Sequence, residues 1–562
     1  MLLFTKCNLD STIRRLLFMN NKNTFKILLV YPNLPLMTVP PLSMAIFSGI
    51  LKEEGYNVEL FDTTSYIADE ATNSTHKNRQ MYLQYREYKD EDDLGIVVKT
   101  NLMGDFKEKV NKFKPDLMIW SVVEDAFQKT LKMAETIKDY DCVKIFGGVL
   151  PSSDPEYVIN HKNINFISKG EGEITLRKLA KAVYEKKDYR YVKGTWYKNK
   201  DNSIIKNPPQ PLVNINDSTS DFSLFDPKRF NRPMGGKIFK VIPVETYRGC
   251  PYACTFCNSP VHNTNVKKDN IPHSFLRRKT MKKIRSELLS LIEKYDPNFI
   301  YLVDDSFLAR PKSEIFEFCD MYEEFKIPFW FNTRPENCKE NILKRLKKAG
   351  SYRISFGVEC GNEEFRAKIL KRKPTNEQII KAFKVIEKSG IVFSLNLIIG
   401  FPGETRDLVI ETINLVKKIR GYDAITVSIF TPYRGTVLRQ IAIKNNWLDS
   451  EHLTVHTTSS SILKMPPPYL QAKEIDGLIR TIPLYIYFPY SEWNEIKKAE
   501  FFDETGNKVF KKYSEIYKNN FLKSNQDDKK VFIDHMDTAP KSFQKKTKLS
   551  KFDIDTLTLN QM

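Results

Sequence analysis

Cysteine is scarce in this chain: eight residues in 562. That number, with no export signal, argues against a disulfide framework. Residues 1–24 hold a short apolar patch beside Arg14 and Arg15. They have no continuous apolar segment and no small-residue cleavage site, so no secretory signal is expected. Long apolar runs are also missing. The best, residues 394–400, is too short to cross a bilayer. No internal repeat and no recognised nucleic-acid module is visible. A second paired C-x2-C, which a structural zinc site would want, is absent too.

What remains is the composition of a globular protein of two to four domains, with 41% hydrophobic and 28% charged residues. The net charge is +19. The lysines alternate with Asp and Glu along predicted helices, the pattern of solvated faces, so the charge does not by itself call for a nucleic acid.

Three of the eight cysteines are concentrated. Cys250, Cys254 and Cys257 form C-x3-C-x2-C within residues 247–257, just past an apolar run at 241–244 that reads as the end of a strand. Three thiolates on one loop can face one centre. A closed [4Fe–4S] cluster takes four cysteines, so three suit a cluster with one iron left open for a substrate or cofactor. The residues alone leave two alternatives: a zinc site using His262, or a fourth, distant cysteine. Cys7, Cys142, Cys319, Cys338 and Cys360 read as inert thiols, Cys360 lying nearest the site.

Two series of alternating strands and helices flank this loop. In the first, strands are expected at 25–32, 58–62, 116–121, 143–148 and 164–168, with helices at 42–54, 126–138 and 174–186 and polar, irregular helix and loop at 65–105. This is a doubly wound α/β pattern, whose ligands bind beyond the carboxyl ends of the strands. Residues 191–236, rich in Asn, Asp, Pro and Lys, read as a linker. The second series has six strands, from 241, 299, 329, 352, 392 and 424. Each ends in polar residues or glycines, the layout of a barrel with chemistry at its carboxyl rim. Residues 446–562 read as mostly helical, with the last thirty polar and unstructured.

The cysteine spacing, with Phe256 directly before the last cysteine, resembles the radical S-adenosylmethionine (radical SAM) superfamily. The resemblance implies that Cys250, Cys254 and Cys257 hold a [4Fe–4S] cluster, and that SAM chelates the open iron and is cleaved to a 5′-deoxyadenosyl radical. It spans residues 237–445 as a partial (β/α)6 barrel. It implies SAM contacts from Phe256, Asp304, Asp305, Glu359, Ile398, Gly400, Pro432, Gly435 and Thr436. The fifth-strand spacing departs from the family pattern: Asn396 stands where a glycine is usual and the acid falls late, at Glu404.

The first series, over residues 25–190, is similar to the flavodoxin-like or Rossmann-like cobalamin-binding domain that precedes many radical SAM domains. This implies cobalamin contacts from Pro41, Leu42, Ser121, Val122, Gly147, Gly148, Gly170, Glu171 and Gly172. None of the seven histidines stands in a D-x-H-x2-G loop, so cobalamin held without a protein imidazole on cobalt is implied.

The whole reads as a cobalamin-dependent radical SAM enzyme methylating an unactivated carbon of a small-molecule or natural-product substrate. A flavodoxin or ferredoxin would reduce it, in a reducing cytoplasm. The alternatives are the same cofactors driving cyclisation, rearrangement or dehydration, and an iron–sulfur electron-transfer or binding protein. A methylthiotransferase is disfavoured, since the N-terminal series lacks cysteines for a second cluster.

Overall fold

The computed structural model describes residues 22–67, 79–84, 86–89, 92–272, 274–454, 460–522, 539–544 and 546–558. The expected N-terminal extension lies almost wholly outside them. The chain divides into two compact units, one of residues 1–70, 97–229 and 262–277, the other of 71–96, 230–261 and 278–562.

The first unit is built on a seven-stranded sheet. Its strands are β1 (Lys26–Tyr31), β2 (Asn57–Asp62), β3 (Leu117–Ser121), β4 (Val143–Gly147), β5 (Phe166–Ser168), β6 (Thr195–Lys198) and β7 (Ile204–Lys206). They run in the order β2-β1-β3-β4-β5-β6-β7. β1 to β5 are parallel, and Ile27 to Val30 of β1 are fully buried, as a strand covered on both faces requires. The order reverses between β1 and β3, which makes their carboxyl ends the switch point of the sheet. The three expected helices are present as Leu42–Glu53, Phe127–Thr136 and Gly172–Tyr184.

Two features depart from expectation. Helix Leu102–Phe113 occupies part of the stretch read as irregular helix and loop. The Asn101 side chain caps it by accepting from the Gly104 N–H, and Leu102, Phe106, Val110 and Phe113 bury one helical stripe. Residues 191–236 are not a plain linker. β6 and β7 add antiparallel to the sheet edge, and the chain to Arg229 packs onto this unit. Asp221 accepts from Ser48 Oγ and Lys52 Nζ, both at 2.8 Å. Burial works against the Asp221 anion, yet Lys52, Ser48 and Ser223 hold its carboxyl down to about 2. Arg229 Nε binds Asp62 at 2.8 Å and Nη1 donates to the carbonyls of Met37 and Thr38. Polar composition suggested a linker because the apolar anchors, Val213, Ile215, Phe222 and Phe225, are buried but few, and side-chain bonds hold the chain down beside them.

The second unit is a curled half-barrel. Its strands are β8 (Asn231–Met234), β9 (Lys237–Val244), β10 (Phe299–Leu302), β11 (Phe329–Thr333), β12 (Ser351–Glu359), β13 (Val392–Ile399) and β14 (Ala424–Ile429). The order is β14-β13-β12-β11-β10-β9-β8, with the six from β9 to β14 parallel and β8 antiparallel at the edge. These six are the strands read from the sequence. Their outward side chains, Ile300, Leu302, Phe329, Phe331, Ile354, Phe356, Leu395, Leu397, Ile425 and Val427, are all buried apolar. At the β14 edge the Val427 N–H is satisfied by Gln84 Oε1 at 3.1 Å, a side chain standing in for a missing strand.

The carboxyl-terminal region is helical, as expected. Helix Ala472–Tyr487 is followed by Trp493–Lys498 and Glu504–Tyr517. The polar end of the chain departs from expectation. Helix Lys551–Leu557 closes against the turn after β13. Ser550 caps it in a capping box, Tyr469 OH donates to Asp553 at 3.0 Å, and Leu557 is 1% exposed within a cluster containing Phe401, Trp447 and Tyr469. No helix among the described residues is long and apolar enough to cross a membrane.

Leu557→Ala should lower unfolding stability by about 2–4 kcal/mol, the usual cost of a truncated core leucine. Urea unfolding of the full chain checks this. A midpoint unchanged from wild type would mean the last helix contributes nothing to the core.

Candidate functional site

The cysteine loop leaves β9 through a charged knot. Asp304, just past β10, accepts from the backbone N–H groups of Thr246 (2.8 Å) and Tyr247 (3.0 Å) and from the Thr246 hydroxyl. Its other partner is Arg310 Nη2 at 2.5 Å, and both side chains are almost fully buried. Arg310 also lies over the rings of Tyr247 and Phe307. Arg248 forms a two-pronged pair with Glu245, at 2.8 and 3.0 Å. Gly249 then turns at φ 95°, a conformation that suits only glycine, and the chain enters Cys250.

All three cysteines are half-buried free thiols. The backbone N–H groups of Tyr252 and Ser259 favour the thiolates of Cys250 and Cys257. Arg334 Nη2 donates to Cys254 Sγ at 2.7 Å while its guanidinium stacks 3.4 Å from the Tyr252 ring centre. Burial pushes the thiols of Cys250 and Cys257 up, to about 11 and about 12, against those donors. Buried sulfurs with donors aimed at them are arranged to carry thiolate charge once an electrophilic metal replaces the protons. Among the described residues no three His, Cys, Asp or Glu side chains converge as ligands of one metal ion. Three cysteines suit a [4Fe–4S] cluster with one iron left open, since a closed cluster takes four. His262 lies on helix Asn258–Lys268, directly after the cysteine loop, and burial keeps its imidazole pKa low despite the opposing pull of Glu171.

The turn after β14 packs directly on this loop. The Leu438 N–H donates to the Thr255 carbonyl at 3.1 Å, and Asn258 Nδ2 donates to the Arg434 carbonyl at 3.3 Å. Pro432 accepts from Arg439, Gly435 sits at φ 83°, and the buried Thr436 hydroxyl bonds back to the Tyr433 carbonyl. Phe256 packs 5.6 Å from Phe401 in the cluster that also takes in Ile398. Gly400 lies at φ 80° in the turn after β13. Phe256, Ile398, Gly400, Pro432, Gly435 and Thr436 thus gather around the cysteine loop.

The acids divide. Asp304 spends both oxygens on the loop entry, so its place is structural. Asp305 is exposed and accepts from Ser259 Oγ at 2.8 Å. Its carboxyl is pushed up by dense surroundings and by Asp304 and Glu245. Glu359 ends β12 at a register shift and has φ 65°, a strained conformation for a non-glycine. It pairs with Arg372 at 3.2 Å, and burial raises its pKa against the pull of Arg372 and Arg334. Glu404, whose late spacing put a cofactor role in doubt, lies fully buried. Its Oε2 accepts from the N–H groups of Gly400 and Phe401, which closes the turn, while Oε1 has no partner. Burial pushes its carboxyl up to about 8. Arg310 and Arg372 went unnoticed in the sequence, because lone arginines between strands carry no spacing signal.

In the first unit, the rims after β4 and β5 are bare backbone. Gly147 is followed by Gly148 at φ 109°, where a Cβ would meet the Val122 carbonyl oxygen at 2.7 Å. Gly170, at φ 86°, opens onto empty space. The Val122 N–H donates to the Gly147 carbonyl at 2.8 Å, joining the loops after β3 and β4. Pro41, Leu42 and Ser121 are half-exposed, and Gly172 starts a helix closely packed on Phe47. A bare glycine rim beyond the carboxyl ends of parallel strands lets a large macrocycle such as corrin approach the backbone closely. Glu171 is the exception. It forms a two-pronged pair with Arg277 and accepts the Val213 N–H at 2.9 Å, so its oxygens hold the chain together. His161 is packed between Phe127 and Tyr157, each 5.0 Å away.

The family model of the radical SAM superfamily matches residues 244–416. An uncharacterized methyltransferase of Pyrococcus horikoshii is 27% identical over 459 residues, covering 80% of this chain and 88% of the relative. An anaerobic magnesium-protoporphyrin IX monomethyl ester cyclase of Rubrivivax gelatinosus is 25% identical over 407 residues, covering 70% of this chain and 64% of the cyclase. Among solved structures, the radical SAM methyltransferase TsrM of Kitasatospora setae, with cobalamin and a [4Fe–4S] cluster bound, is similar in fold. Its TM-score is 0.54 at 14% identity, over 87% of this chain and 99% of TsrM.

Two outcomes follow from this geometry. Asp304→Asn leaves buried Arg310 without its counter-charge and should cost about 3–5 kcal/mol. A stability equal to wild type in denaturant would show that the knot does not hold the loop. For Glu404, the folded carboxyl keeps its proton up to about 8, whereas the ordinary value is 4.5. Stability from the neutral carboxyl is therefore present below 4.5 and lost as pH rises through 8. Glu404→Gln, neutral throughout, should flatten the pH dependence of the melting temperature in that window. Superposable wild-type and variant profiles would mean that Glu404 is ionised in the native protein.

Proposed function

We propose that this chain, whose residues 244–416 match the radical SAM superfamily, is a cobalamin-dependent radical SAM enzyme that methylates an unactivated carbon of a small-molecule substrate. The observation that carries the reading is the triad of half-buried sulfurs, with Arg334 donating to Cys254, at the carboxyl rim of a six-strand parallel half-barrel. The glycine rim of a separate sheet of order β2-β1-β3-β4-β5, and the likeness to cobalamin-bearing TsrM, support the second cofactor. The methyltransferase relative supports methyl transfer.

Cys250, Cys254 and Cys257 would hold the cluster, and Gly147, Gly148 and Gly170 would give corrin a bare-backbone seat. When bound, these groups supply an electron to cleave SAM and a methyl group to transfer. The protein's part is placement. Arg334 tempers the charge on Cys254, and Asp304 with Arg310 fixes the loop. Phe256, Ile398 and the turns at 400–403 and 432–436 offer an apolar wall with bare backbone to the adenine of SAM. Glu359 would reach the ribose or amino group of SAM from its pair with Arg372, and Asp305 would lie at the same rim. A flavodoxin or ferredoxin would deliver the electron. A second reading, ring formation with the same cofactors, is favoured by the cyclase relative.

Anaerobic reconstitution with iron, sulfide and hydroxocobalamin tests the proposal. About four irons per chain are expected, with one retained cobalamin, cluster loss in Cys254→Ala and SAM cleavage on reduction. Iron without cobalamin would remove the methyl-transfer reading. An intact cluster that never cleaves SAM would leave an electron-transfer protein.

A further inference from the structure

The inward face of the half-barrel differs from a filled barrel core. Closed barrels pack this space with branched apolar side chains. Here the strand register brings Asn332, Ser355 and Ser394 into one layer, and Gly357, Asn396 and Thr426 into the next. Asn332, Asn396, Thr426 and Ser428 remain half-exposed although every outward neighbour is buried, so the interior is open to solvent. Ser355 is bonded to Trp330 Nε1 and Ser394, both at 2.9 Å, and Asn332 donates to Tyr301 OH at 2.9 Å. The deep end is floored by Met234, Phe239, Phe299 and Tyr352.

One cation enters this space. Arg232, on β8 opposite Phe239, lies over Trp330 at 4.8 Å and Tyr301 at 5.9 Å, and those two rings stack on each other at 4.0 Å. It is half-buried and has no carboxylate partner among the described residues. The acids nearest Tyr301 are otherwise engaged: Asp304 with Arg310, and Asp305 with Ser259 at the rim. The other arginine at this depth, Arg353, pairs with Asp423, which it shares with Arg86 at 3.9 Å. An uncompensated guanidinium in a partly desolvated site is costly unless an anion completes it. Stacking occupies a guanidinium face and leaves its N–H edge free, the edge that grips a carboxylate or phosphate in two-pronged fashion.

We propose that Arg232 anchors an oxyanion of the substrate, a carboxylate or a phosphate, deep in the half-barrel, with the hydroxyls and amides of β11 to β14 recognising its polar body. The inference rests on the radical SAM reading for what happens to that substrate, but the anion site stands on its own geometry. The substrate class is thus an acidic, hydrogen-bonding small molecule, not a neutral lipid.

Matched small probes test it on the reconstituted full chain: phenylacetate and phenyl phosphate against neutral phenylacetamide, with binding read by ligand-observed saturation-transfer NMR. The anions should bind the wild type more tightly than the amide. Arg232→Gln should weaken them about tenfold or more, the size of one lost charge-assisted contact. Arg232→Lys should fall between, and the amide should be indifferent to either change. Preference for phenylacetate over phenyl phosphate, or the reverse, separates the two sources of the anion. Equal binding of amide and anions, unchanged anion binding in Arg232→Gln, or no binding of any probe would overturn the proposal. Iron content and SAM cleavage are measured on the same preparations. Their loss in wild type would sink the enzyme reading while leaving the anion site to be judged by the probes.

Discussion

A single buried carboxylate holds the site in place. Asp304 is surrounded by Thr246, Tyr247 and Arg310, and it joins the end of β10 to the first turn after β9. Two backbone N–H groups that a strand ending there would leave unpaired are satisfied by it, and the charge it brings inside is balanced by Arg310. Arg310 is held in turn by the rings of Tyr247 and Phe307. Because charge, hydrogen bonds and ring stacking all converge, the loop leaves the barrel in one direction. The sulfurs of Cys250, Cys254 and Cys257 inherit that direction.

The site shows how a barrel rim can be specialised by what is absent as well as present. Glycines at 249, 400, 403 and 435 take positive φ, so backbone rather than side chains forms the turns around the cysteine loop. Glu404 fills the turn after β13 with a neutral carboxyl, and Leu557 seals its back. Inside the barrel, serines, threonines and asparagines stand where a purely structural barrel would carry valine and isoleucine. A core of that kind gives up packing energy for an accessible interior, and the apolar outer face and helices must supply the stability.

Much of this was legible in the sequence. The six strands of the half-barrel and the five parallel strands of the first sheet are short apolar runs punctuated by glycine and polar residues, and each formed where its pattern placed it. The cysteine spacing pointed to a cluster before any coordinate. Legibility failed where apolar anchors are sparse among polar residues. Residues 191–236 are held by Asp221, Arg229, sheet-edge hydrogen bonds and the buried Val213, Ile215, Phe222 and Phe225, which the polar composition around them disguises as linker. Helix Leu102–Phe113 did carry its signal, an asparagine cap before an i, i+4, i+8 apolar stripe, within a stretch whose overall polarity hid it.

The sequence by itself therefore determined the strands and helices of two α/β series and the three clustered cysteines, because period and spacing are local properties of the chain. Tertiary structure alone decided the partners of the charges. It gave Asp304 to Arg310, Glu359 to Arg372, Glu171 to Arg277 and Arg334 to Cys254, and it left Arg232 with only aromatic rings. A charge can be satisfied by any opposite group that folding brings within a few ångströms, and sequence separation sets no limit on which one that is.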